Sequence, residues 1–180
     1  MQDGFCCYCE SFAHKGNGHI EHFFYKGETQ DGVAPYKHLT FIWDNLFGCC
    51  GLNGGSTCGH FKDKKGSMGP GVYNPNDIIK PDLDNPEDFF EYLPTGVISV
   101  KNNLNDKDER KAQETLRVLN LKVLNEPRRS RIEIFQNELM ELFSLDVDDV
   151  SLRSEIDFIK DKIKKSEFRT VIMFVLFNEE

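Results

Sequence analysis

The chain has no cysteine beyond Cys58, only one tryptophan, and no apolar run longer than Val171 to Phe177. It is also short of positive charge, with 22 Lys and Arg against 30 Asp and Glu and a net charge of -8. Each shortage excludes something. A membrane-spanning helix needs roughly 20 apolar residues, so no span is expected. No charged start leads into an apolar segment, so no secretory leader is expected either. High-affinity binding of nucleic acid by the bare chain needs clustered Lys and Arg to neutralise phosphates, and an acidic chain offers few. A nuclease is not excluded, because a bound cation adds local positive charge. A disulfide scaffold spreads its cysteines through a small fold. Here all six lie within residues 6 to 58 of 180. A reducing, cytoplasmic setting with a metal site is the simpler expectation. A hydrophobic content of 39% supports a packed core.

What is present is concentrated between residues 6 and 66. The cysteines fall into two clusters, Cys6-Cys7-Tyr8-Cys9 and Cys49-Cys50 with Cys58. Zinc takes four soft, deprotonated ligands in a tetrahedron, and two tight turns supplying two thiolates each are a frequent way to build that site. Cys9 and Cys58 are ligands on either count. Cys6 is preferred to Cys7 because a two-residue gap to Cys9 is the usual knuckle, and Cys50 is preferred to Cys49. The seven residues between Cys50 and Cys58 exceed a standard knuckle. The competing reading makes these cysteines small buried hydrophobes. Structural zinc contributes folding energy, so the expected site Cys6, Cys9, Cys50 and Cys58 would hold a thinly cored segment together.

Between the clusters lie Glu21-His22 and Asn45, and His60 follows the last cysteine. One scheme uses them all. Neutral His22 takes a proton from water as the water attacks a phosphodiester phosphorus. A divalent cation held by His60 and Glu21 stabilises the charge that develops. Asn45 pins the loop that carries the base. Adjacent residues on a regular strand point to opposite faces, so Glu21 and His22 share a site only if the strand bulges or ends there. Isolated histidines are more often hydrogen-bonded structural residues than bases, and His14, His19 and His38 are left as such.

The order of these residues resembles a known family. Cys-x-x-Cys, Glu-His, Asn-Leu-x-x-x-Cys, then Cys with a following histidine and Lys is similar to the zinc-containing HNH endonucleases of the ββα-metal fold. More narrowly, Gln2 to Glu10, Ile20-Glu21-His22-Phe23, Trp43-Asp44-Asn45-Leu46, Cys58-Gly59-His60-Phe61-Lys62 and Tyr73-Asn74-Pro75 resemble the HNH subunits of Septu anti-phage systems, PtuB-like proteins, and their retron-associated relatives. The likeness continues through Phe89 to Pro94 and Glu114 to Leu121. It implies a defence nuclease that cuts DNA or RNA together with a PtuA-like ABC-type ATPase. It gives His22 the general-base position, His60 the metal position and Asn45 the central asparagine, with Mg²⁺ or Mn²⁺ as catalytic cation beside the structural Zn²⁺. The chain departs at Tyr25-Lys26, where relatives usually carry proline. Relatives also carry a segment ahead of the first cysteines.

The expected fold class is α+β: a zinc-stapled ββα core over 1–66, an irregular segment with a hairpin over 67–104, and a helical region over 105–180. A strand is expected over 19–25, loops over 26–35 and 51–56, and a compact apolar turn or short helix over 36–47. A short helix should start at Cys58. Helices are predicted over 106–121, 127–143 and 151–165 from their apolar stripes and start signals. Phe168 to Phe177 is apolar all round and reads as a buried or partner-facing helix, with a strand as the alternative. Lys62, Lys64 and Lys65 could meet a phosphate backbone near the metal. Arg128, Arg129 and Arg131 leave room for an anionic partner or ligand, because positive charge at a helix start opposes the dipole. The alternative to an endonuclease is a non-catalytic, zinc-stapled interaction module.

Overall fold

A computed structural model describes residues 2–14, 16–28, 32–51, 55–146 and 148–178. The loops expected over 26–35 and 51–56 contain residues 29–31 and 52–54, which lie outside the described set. The chain is mixed α and β and forms two compact units, Met1–Glu91 with Ser99–Val123, and Tyr92–Ile98 with Leu124–Glu180.

In the first unit the knuckle Cys6 to Cys9 is a closed turn. Phe5 and Phe12 bridge as antiparallel partners, and their rings stack with centroids 5.3 Å apart. The Cys6 amide donates to the Ser11 carbonyl at 2.7 Å. Tight reversal needs left-handed backbone, supplied by Gly4 at φ 83° and by Glu10 at φ 60°. Strand β1, Gly18–His22, then pairs antiparallel with β2, Leu46–Cys50. The register sets His19 opposite Cys49, Glu21 opposite Phe47 and His22 opposite Leu46. The strand is shorter than the predicted 19–25, and β2 replaces part of the turn or helix expected over 36–47. Two 3₁₀ turns, Lys37–Leu39 and Trp43–Asn45, deliver the chain into it. Leu46 and Phe47 therefore belong to a sheet, where cross-strand pairing with β1 overrides a short apolar cluster that suits either state.

Helix α1, Cys58–Lys62, follows β2 and starts on Cys58 at φ 54°. That conformation is unfavourable for a residue with a Cβ and needs outside support. Helix α2, Asp106–Val118, provides it from its C-terminal end. The Cys58 amide and the Thr57 hydroxyl both donate to the Leu119 carbonyl, at 2.8 and 3.0 Å, and Asn120 Nδ2 donates to the Ser56 carbonyl at 2.8 Å. Asn105 caps α2 by accepting from the Lys107 and Asp108 amides. The Pro and Asn residues between α1 and α2 form short 3₁₀ turns at Pro75–Asp77 and Pro86–Asp88, each capped by the preceding asparagine. Phe23, Ile78 and Val118 centre the core here, with Tyr8, Phe24, Phe47 and Tyr73 packed around them.

Strands β3, Phe90–Tyr92, and β4, Ile98–Val100, form the expected second hairpin. The second unit contains helices α3, Asn125–Ser144, α4, Asp149–Ile163, and α5, Arg169–Phe177. The stripe Ile132, Phe135, Leu139 and Leu142 of α3 is buried, as are Ile159 and Ile163 of α4 and Val171 and Ile172 of α5. The segment from Arg169 to Phe177 is thus a helix, and it packs on α3 and α4. The arginine cluster is committed internally. Arg128 is buried and donates to the Asn125 side chain, Arg129 pairs with Glu133, and Arg131 pairs with Glu167. Arg129 and Arg131 thus pair with carboxylates of their own unit, and Arg128 with neutral oxygens.

Candidate metal centre

Three elements converge on one point. The knuckle brings Cys6 and Cys9, the end of β2 brings Cys50, and the start of α1 brings Cys58. Their four sulfurs lie within 4.8 Å of one another, and all four residues are buried. A thiolate tetrahedron with Zn–S bonds near 2.3 Å has edges of about 3.8 Å. Cys9 and Cys50 stand 3.6 Å apart, close to that edge. Four buried cysteines so arranged can hold a structural metal ion such as zinc. Cys7 is only half-buried and lies outside this group. Cys49 sits 3.7 Å from Cys6 and accepts from the Gly59 amide at 3.3 Å.

The thiols perturb one another strongly. Hydrogen bonds from Cys50 and Cys58 draw the Cys49 thiol down to about 7, while Cys49 pushes Cys50 up to about 12. Cys9 and Cys58 are also raised, Cys9 first through Cys50 and Cys58 first through Cys49. Crowded sulfurs cannot all ionise without positive charge among them, and a divalent cation supplies it.

Beside the sulfurs lies a buried polar cluster. Glu21 Oε1 receives Lys62 Nζ at 2.9 Å and the Tyr8 hydroxyl at 3.1 Å. Its Oε2 faces His19 Nε2 at 3.7 Å. Burial raises the Glu21 carboxyl, but His19, Lys62 and Tyr8 outweigh burial and hold it below the usual range. Burial also works against the Lys62 ammonium, yet Glu21 and Asp63 raise it above the lysine range. Lys62 bonds Asp63 at 2.6 Å and the His22 carbonyl at 3.1 Å, and its side chain has 0% exposure. Lys62 is therefore an internal tie between α1 and β1, and the expectation that it meets phosphate fails for that reason. Lys64 is partly covered and Lys65 is exposed.

The register of β1 runs from Gly18 to His22 with no inserted residue, so Glu21 and His22 alternate to opposite faces. Glu21 joins the sulfur side. His22 bonds the Thr40 carbonyl through Nε2 at 3.0 Å. Asn45 is buried and bridges the same loop. Its Oδ1 accepts from the Phe24 amide at 2.7 Å, and its Nδ2 donates to the Phe24 and Leu39 carbonyls at 3.1 and 3.2 Å. His60 is exposed on α1, and its ring stacks on His19 with centroids 3.9 Å apart and planes 5° apart. Burial and the neighbouring His19 hold the His60 imidazole below its usual range.

Sequence reasoning passed over His19. The strand period could have found it, because a residue two before Glu21 shares its face. His19, Glu21 and Cys49 offer donor atoms within 4.8 Å of one another. No described helix is long and apolar enough to cross a membrane. No known family description matches the chain, and none of the curated proteins compared with it matches either.

Proposed function

We propose that the protein is a metal-dependent endonuclease of the HNH type, hydrolysing phosphodiester bonds in DNA or RNA as the effector of an anti-phage complex with an ABC-type ATPase. The observation that carries this reading is how Asn45 and Thr40 set His22. A carbonyl only accepts, so the 3.0 Å contact with Thr40 makes His22 Nε2 the donor and leaves the lone pair on Nδ1. Asn45 ties Phe24, two residues after His22, to Leu39, next to Thr40. One side chain thereby braces both sides of the imidazole. A fixed tautomer with a free lone pair is what a general base needs.

In this reading His22 Nδ1 takes a proton from water, the water oxygen bonds to phosphorus, and the bond to the leaving oxygen breaks. Glu21 and His60 would hold the divalent cation, Mg²⁺ or Mn²⁺, on the face of β1 opposite His22, so the phosphodiester would have to lie across the end of that strand to meet both; the cation would supply charge neutralisation at the phosphoryl and leaving oxygens. The cysteine site, loaded with Zn²⁺, holds the knuckle, β2 and α1 in register. The setting is cytoplasmic.

A second reading, a zinc-stapled interaction module, is favoured by one observation. Phe41 and Trp43 are 91% and 70% exposed in the loop around Thr40, as apolar surface awaiting a partner would be. One experiment separates the two. Wild type and His22→Ala, each alone and with the co-expressed ATPase, are incubated with plasmid DNA and with tRNA in Mg²⁺, Mn²⁺ or EDTA. Cleavage by wild type that EDTA stops and His22→Ala lacks supports the nuclease. If no condition yields cleavage while the partner binds, the interaction module stands.

A further inference from the structure

We infer that His19, Glu21 and Cys49 form a second metal site, of mixed nitrogen, oxygen and sulfur donors, that takes a borderline transition-metal ion such as Zn²⁺ or Co²⁺. The inference goes beyond the proposed nuclease site: it gives Glu21 a role toward a zinc-like ion in place of Mg²⁺ or Mn²⁺, and it is read by binding and not by cleavage.

The three donors are placed by the hairpin itself. His19 and Glu21 are two apart on β1 and share a face, and Cys49 lies directly across from His19 on β2. Their donor atoms fall within 4.8 Å of one another. His19 Nε2 and Glu21 Oε2 are 3.7 Å apart, too far for a hydrogen bond. Nitrogen and oxygen ligands at about 2.0–2.1 Å on one tetrahedral ion stand about 3.4 Å apart, so a small closure brings this pair onto a metal. His19 Nδ1 is buried and has no hydrogen-bond partner among the described residues, so no neighbouring bond holds the ring against that closure.

Space is reserved as well. Gly59 has no side chain, and a Cβ there would overlap Glu21 Oε2 and stand 3.2 Å from Cys49 Sγ. Charge balances too. Lys62 is shared between Glu21 and Asp63, so these three groups carry one net negative charge, and a Cys49 thiolate brings the total to the two that a divalent ion neutralises. Imidazole, carboxylate and thiolate together favour zinc-like ions over Mg²⁺, which takes oxygen ligands and keeps much of its water. Cys49 lies 3.7 Å from Cys6, so this site adjoins the four-cysteine site without drawing on its ligands.

The test is Co²⁺ titration of the zinc-loaded full-length protein, followed by visible and near-ultraviolet absorption, with total metal counted per chain. Wild type should hold two ions. The second should show a thiolate-to-cobalt band that Cys49→Ser loses. His19→Ala should weaken second-site binding by more than the roughly 10–100-fold that loss of an outer-shell partner causes. Gly59→Ala should block the site while keeping every donor, and far-UV circular dichroism shows whether each variant is folded. One ion per chain in wild type, or an unchanged second ion in both His19→Ala and Cys49→Ser, would overturn the inference. Two ions without cleavage would leave the site standing and sink the nuclease reading alone.

Discussion

Lys62→Met removes the ammonium that pairs with Glu21. The two charges stand 2.9 Å apart with 0% and 1% exposure. At an effective dielectric near 20 their attraction is about 6 kcal/mol, most of it offset by the desolvation of both groups. What remains when one partner is deleted is the cost of a buried charge without its counterpart, typically about 3–5 kcal/mol. The Tyr8 hydroxyl still donates to Oε1 at 3.1 Å, which puts the expectation at the lower end, about 3 kcal/mol. Methionine fills a similar volume, so the loss is electrostatic. Glu21→Gln combined with Lys62→Met removes both charges and should recover at least half of the loss. The assay is urea unfolding followed by circular dichroism, with excess Zn²⁺, over the four-variant cycle. A loss below about 1 kcal/mol for Lys62→Met, or purely additive effects in the cycle, would refute the claim that this pair is a structural tie.

Other expectations follow from the same geometry. Replacing Cys9 or Cys58 with serine should remove one zinc per chain by metal analysis and cost most of the fold of the first unit, since structural zinc sites contribute on the order of 10 kcal/mol. His22→Ala should lower cleavage by about 10²–10⁴-fold while the urea midpoint shifts little. Asn45→Ala leaves the Phe24 amide and two carbonyls short of partners, and should cost about 2–4 kcal/mol in urea melts and reduce cleavage as His22 loses its brace. Gly96→Ala, at φ 76° with its new Cβ driven into the Asn125 carbonyl, should cost about 2–4 kcal/mol by the same melt.

Much of the metal site was legible because its signal is local chemistry. A Cys-x-x-Cys turn needs no tertiary information, and Cys6, Cys9, Cys50 and Cys58 do gather in the structure. The helices of the second unit were legible from their stripes, since α3 buries Ile132, Phe135, Leu139 and Leu142 and α4 buries Ile159 and Ile163, although Phe143 at the end of the α3 stripe stays exposed. Strand β2 was not, because Leu46 to Cys50 has no alternation of its own and becomes a strand only by pairing with β1. Lys62 was misread for a related reason. A lysine beside two other lysines looks like solvated surface, and only the docking of α1 on β1 buries it against Glu21.

The sequence by itself determined which residues are chemically equipped: six thiols confined to one third of the chain, an acid and histidines among them, and amphipathic helices after them. The tertiary structure decided which of those groups meet. Register assigned Glu21 to the sulfur side with His19 and turned His22 to Thr40, because a strand sends neighbours to opposite faces and couples each residue to the one across from it. Burial then made Lys62 a tie and left His60 at the surface, since a charge is kept inside only where the fold supplies its partner.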